Sequence, residues 1–151
     1  MENNTIPIKL LASRLQTPDG TIIRSKHRHD YVTHLDKNGY TYSLDGGTDY
    51  TKISTDDPDK DYKLIPVIDD GTHEKRREFV LWGVNYTKEG DGLPETEWKP
   101  VKDLNTDHIQ AIIDGGFVKN TPFYETVLLN EILYRKQTTI SVVFPTCEIK
   151  I

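Results

Sequence analysis

Six consecutive residues, Ser25, Lys26, His27, Arg28, His29 and Asp30, make the densest run of chemistry-bearing side chains, and His34 and Asp36 follow closely. Imidazoles and carboxylates at this density suit a divalent cation. On a strand, His27 and His29 would share one face, with Arg28 opposite. The same run also suits an anion, with Lys26 and Arg28 partnering phosphate oxygens and the imidazoles donating to them. A third reading is structural: a polar strand whose His29 or Asp30 ties down the neighbouring turn. The residues alone leave all three open.

Two further clusters stand out. In the first, Asp45, Gly46, Gly47, Asp49 and Tyr50, the glycines permit tight backbone geometry or close approach to a ligand, or simply form a turn ahead of a buried tyrosine. The second runs from Arg76 and Arg77 through Phe79 and Trp82 to Asn85 and Tyr86. Residues 78–86 read as β-rich, and alternation would put Phe79 and Leu81 on one face and Val80 and Trp82 on the other. If one face is core, the other displays an aromatic ring beside Arg77, Asn85 and Lys88. Such a platform suits a purine and its phosphates. The alternative is that both rings are core.

Signals for hydrolysis are weak. None of His27, His29, His34, His73 and His108 sits in a His-x-Thr or His-x-Ser pair, and neither a Walker loop nor a Gly-x-Ser-x-Gly elbow is present. Cys147 is the single cysteine and has no histidine beside it in sequence. It excludes an internal disulfide and a cysteine-based zinc site. Nothing in the residues forces catalysis. The metal-dependent alternative, a phosphodiesterase or nuclease, would use His27, His29, Asp30 and His34; the other alternative is a structural protein that binds only other proteins.

The elements that must position these groups read as α+β. Residues 7–16 fit a strand or a helical turn, 17–20 a turn, and 21–51 an antiparallel unit of about three strands. The Asn38-Gly39 pair favours a hairpin in which both central positions have positive φ. Residues 54–61 and 69–75 read as solvated loops, 64–68 as a short strand, and 78–86 with 98–101 as a second hairpin. Asn105 or Thr106 can cap a helix over 106–114, which Gly115 and Gly116 stop. Thr121-Pro122 opens a second helix to about Arg135. Residues 139–144, rich in β-branched types, read as a final strand, perhaps paired with 147–151. The whole is a single domain over 1–151: an antiparallel sheet of hairpins, two C-terminal helices and a short final strand.

The 151 residues suffice for a core without staples. A net charge of -5 argues against a generic DNA-coating protein. No apolar run approaches the roughly 18 residues that cross a bilayer, and the polar start carries no signal-peptide pattern. The chain is 35% hydrophobic and 28% charged, which suits long solvated loops or an assembly surface.

Taken together, several of these stretches resemble the phage Thoeris anti-defence proteins of the first type. The run from Ser25 through Tyr31, Val32, Thr33 and His34 carries the resemblance, with the Asp-x-Asn-Gly turn and Asp45-Gly46-Gly47-x-Asp49-Tyr50. So do Phe79-x-x-Trp82-Gly83, then Lys102-Asp103-Leu104, Thr106-Asp107-His108-Ile109, and Asn130-Glu131-Ile132-Leu133-Tyr134-Arg135. The likeness spans about residues 21–136; the 54–75 loops and the tail after Gln137 depart from it. It implies a sponge and not an enzyme. Such a protein captures a cyclic ADP-ribose isomer made by immune sensors, and in some members cyclic di- or trinucleotides, without cleavage and without a cofactor. It implies homodimers assembling to hexamers in the host cytoplasm. The ligand-binding residues would be Phe79 or Trp82 as the stacking ring, with Asn85, Arg77, Arg28 and Arg135 as polar contacts. Lys26 and His27 join them from the anion reading above.

Overall fold

In the computed structural model, residues 9–143 are described, with the side chains of 139–143 left aside. The fold is α+β, with antiparallel hairpin sheets and, among the described residues, three α-helices, two of them C-terminal. The chain forms two compact units. One comprises Met1–Thr72 with Phe79–Leu81, the other His73–Glu78 with Trp82–Ile151.

The first unit contains two sheets. In one, β1 (Leu10–Gln16) pairs antiparallel with β2 (Ile22–Ser25), β6 (Lys63–Leu64) and β7 (Val67–Ile68). The register of β1 shifts between Leu10 and Ala12, and Leu11 and Ala12 are both buried. In the other, β3 (Tyr31–Leu35), β4 (Thr41–Asp45) and β5 (Lys52–Thr55) form a meander. Cross-strand pairs build the core: Leu15 faces Ile23 in the first sheet, and Leu44 stands between Val32 and Ile53 in the second. With Tyr42 and Tyr62 they make one apolar cluster.

Hairpin closure follows one rule. At 17–20, 36–39 and 87–90 the fourth residue's N–H bonds the first residue's carbonyl, and the first residue's N–H bonds the carbonyl after the turn. Gly20, Gly39 and Gly90 each have φ near +90° (91°, 87° and 89°). This is a type I turn closed by a left-handed bulge residue, the usual three-residue hairpin loop. The Asn38-Gly39 expectation is corrected accordingly: only Gly39 takes positive φ, and Asn38 instead accepts from the Tyr40 N–H and donates to Tyr42 Oη.

The acidic loop is also less solvated than expected. Asp57 is buried and accepts a hydrogen bond from the Tyr42 hydroxyl at 2.7 Å, while its oxygens cap the N–H groups of Asp59 and Asp61.

The second unit is built on helices. Residues 73–79, expected to be loop and strand, form α1 (His73–Phe79). His-Glu-Lys-Arg-Arg-Glu consists mostly of strong helix formers, and Glu74 in the first turn with Arg76 and Arg77 in the last suits the helix dipole, although Glu78 opposes it. Then β8 (Leu81–Tyr86) pairs with β9 (Gly92–Pro100). A 3-10 turn (Val101–Asp103) leads to α2 (Thr106–Asp114) and α3 (Pro122–Val143). Asn105 holds the N-cap position of α2 but makes no side-chain capping bond. Gly116, at φ 74°, turns the chain away after it. Val101, Leu104, Ile109, Ile112, Val118, Val127 and Leu128 are buried. The expected final strand is overturned over 139–143, where α3 continues to Val143; 144–151 lie outside the described residues. Strand propensity of β-branched residues is a small preference per residue, and a helix already nucleated by better formers extends through it.

Candidate functional site

Ser25 ends β2, and residues 26–30 do not form a strand. They make a tight turn between β2 and β3, so His27 and His29 do not share a strand face. Asp30 closes the turn: its N–H bonds the His27 carbonyl at 3.0 Å, and its Oδ2 accepts the Lys26 N–H at 2.8 Å. His29 sits in the left-handed region at φ 65°.

The glycine cluster interlocks with this turn. The buried Ser25 hydroxyl donates to the Asp30 carbonyl and accepts the Gly47 N–H at 2.7 Å. Gly47 lies so close that a Cβ there would stand 2.5 Å from the His27 carbonyl group, and its φ is 63°. Outside, Tyr50 donates to Asp45 at 3.1 Å, which leaves His29 Nδ1 as donor to Tyr50 Oη at 2.9 Å. Arg28 reaches Asp49 at 3.5 Å. Thus the two motifs hold each other, and Lys26, Arg28 and His29 remain exposed on the turn.

The four-residue metal set expected from sequence is not assembled. His27 contacts Asp30 at 3.6 Å and His29 contacts Tyr50, whereas His34 turns to Asp19 at 3.0 Å and Asp36 at 3.6 Å. Asp19 accepts from His34, Thr17 and the backbone of Thr21 and Lys37. Hydrogen bonds from Thr21 and His34 hold its carboxyl well below the usual range.

In the second unit the organising group is Glu131 of α3, fully buried. Its Oε1 accepts from His73 Nε2 (2.9 Å) and Arg77 Nε (2.8 Å), and its Oε2 from Arg77 (3.0 Å) and Arg135 (2.6 Å). Burial pushes this carboxyl up, but the hydrogen bonds from Arg77, Arg135 and His73 outweigh it and bring the pKa to about 2. Arg135 also donates to Thr106 Oγ1 and to the carbonyls of Val101 and Lys102. The Arg77 guanidinium lies 4.4 Å from the Tyr134 ring centroid.

Beside this hub, the same unit carries an aromatic group. Trp82 meets Tyr124 edge-on (6.3 Å between centroids), Tyr124 meets Phe123 (5.7 Å), and the Arg76 guanidinium lies 5.2 Å from the Phe123 centroid. All four side chains are half-buried.

The expected site residues therefore divide. Arg77, Trp82, Asn85 and Arg135 belong to the second unit, and Lys26, His27, Arg28 and Phe79 to the first. Arg77 and Arg135 are engaged by Glu131, and exposed Asn85 accepts the Thr96 hydroxyl at 2.6 Å. Phe79 ends α1 instead of lying in a strand, so the expected Phe79/Trp82 alternation does not hold. Its carbonyl accepts from Arg24, and its ring lies 5.4 Å from the Arg14 guanidinium and 6.0 Å from that of Arg24. Sequence reasoning placed Arg76 in the candidate cluster without giving it a role, and missed Phe123, Tyr124 and Glu131 as site-forming residues. The signal for Glu131 was present: a lone acid four residues after Val127 and four before Arg135, on the apolar face of a helix.

No family model, curated protein or solved structure matches this chain.

Proposed function

We propose that this chain sequesters a small anionic nucleotide of the cyclic ADP-ribose type and releases it chemically unchanged, acting as a phage anti-defence sponge in the host cytoplasm. The observation that carries the reading is the half-buried aromatic group Trp82, Tyr124 and Phe123 with the Arg76 guanidinium against it. Aromatic rings stack on a base whatever its identity, and a guanidinium forks onto phosphate oxygens. Trp82 is the stacking ring in this reading; Phe79, in the other unit, is not. Arg28 and Lys26 supply a separate exposed cationic turn that suits cyclic di- or trinucleotides. Homodimers, assembling to hexamers, would enclose the ligand and slow its escape.

The reading assigns no residue to bond cleavage. The hydrolase alternative required His27, His29, Asp30 and His34 around one ion, and His34 lies with Asp19 and Asp36 instead.

Calorimetric titration with the cyclic ADP-ribose isomer, followed by heating and mass spectrometry of the released ligand, tests the proposal. Tight binding and recovery of intact ligand are expected. Trp82→Ala should weaken capture by about 1–3 kcal/mol, the worth of one stacked base. Failure to bind, or recovery of a cleaved product, would refute the sponge.

A further inference from the structure

The trio Asp19, His34 and Asp36 is independent of the nucleotide reading. Asp19 lies in the turn after β1 and Asp36 in the turn after β3, while His34 points inward from β3 between them. One candidate ligand atom from each lies within 4.8 Å of the other two. The His34 Nε2 stands 3.0 Å from Asp19 and 3.6 Å from Asp36. Donors bound to one transition-metal ion at about 2.0–2.2 Å are themselves roughly 3–3.5 Å apart.

Two observations favour a cation at this trio. The Asp36 side chain is 1% exposed, and its Oδ2 has no hydrogen-bond partner, although Oδ1 accepts the Asp19 N–H at 3.2 Å. Both carboxylates are nearly buried, Asp19 at 6% exposure, and they share one imidazole. Even a protonated His34 balances one of the two negative charges. A buried carboxylate oxygen without a donor is costly unless a cation meets it.

We infer that Asp19, His34 and Asp36 bind one divalent transition-metal ion through two carboxylates and an imidazole nitrogen, joining the 17–20 and 36–39 turns. Mixed oxygen and nitrogen ligands favour zinc or manganese over calcium or magnesium, which prefer oxygen alone. His34 is 26% exposed, so the trio is reachable from solvent.

The test uses the full chain stripped with chelator. Zn²⁺ titrated by calorimetry should bind at one site per chain, raise Tm, and bind at least tenfold more weakly to His34→Gln and to Asp36→Asn. A His27→Gln chain should bind as the parent does. Because Asp36→Asn can unfold the turn, Mn²⁺ is also added to the ¹⁵N-labelled parent. Paramagnetic broadening should centre on the amides of 17–20 and 34–39. Broadening centred on 27–30 or the acidic loops would overturn the assignment. So would no broadening together with no heat, which would leave the trio an ion pair.

Discussion

Glu131 brings three donors onto a carboxylate that water does not reach, and its stability consequences can be worked out. Its folded pKa of about 2 lies below the ordinary 4.5, which at roughly 1.4 kcal/mol per pH unit corresponds to about 3 kcal/mol. Because the folded value is the lower one, this stabilisation is complete above about pH 5 and is lost as pH falls from about 4.5 towards 2. Urea unfolding followed by tryptophan fluorescence, both tryptophans being in the second unit, should show that decline. Glu131→Ala removes the buried acceptor that Arg77, Arg135 and His73 share and should cost about 3–5 kcal/mol. A loss below 1 kcal/mol would show the hub to be incidental. Glu131 was visible in the sequence as an acid on an apolar helical face, but its partners were not. Arg77 lies 54 residues away, and no local pattern reports contacts over that separation. The arginines were therefore assigned to a ligand when a buried acid holds two of them.

Among the elements, hairpins were the most legible, because Thr17-Pro18-Asp19-Gly20 and Asp36-Lys37-Asn38-Gly39 announce their turns by composition. Helices α2 and α3 were legible from apolar spacing and from Gly and Pro at their ends. The α1 segment was not, since a charge run without apolar periodicity looks like a solvated loop. The turn at 26–30 was missed for a related reason: its geometry depends on Gly47, some twenty residues on. This gives a graded prediction. Gly39→Ala meets open space and carries only the left-handed penalty, about 1–2 kcal/mol. Gly47→Ala carries the same penalty plus collision with the His27 carbonyl group, so it should lower Tm clearly more. Equal Tm losses would show that the two motifs are not interlocked.

For the molecule as a whole, the chain leaves the first unit at Thr72, gives six residues to the second, returns for Phe79–Leu81, and departs again at Trp82. A fragment of residues 82–151 lacks His73 and Arg77 and so leaves Glu131 with Arg135 alone. It should show little cooperative unfolding by circular dichroism, whereas 73–151 should unfold cooperatively. If 82–151 proves as stable as 73–151, α1 contributes nothing to the second unit's core. The hydrophobic pattern gave no hint of this division, because the core of each unit is drawn from segments that look alike in composition.

The wide separation between Glu131 and its partners on α1 also sets an order of events during synthesis. The hairpins of the first unit pair residues that leave the ribosome within moments of each other, so their closure is quick. The cations of α1 emerge early but find their carboxylate only after the final helix has been made. Until then that short helix lacks the Glu131 carboxylate that His73 and Arg77 meet in the folded unit.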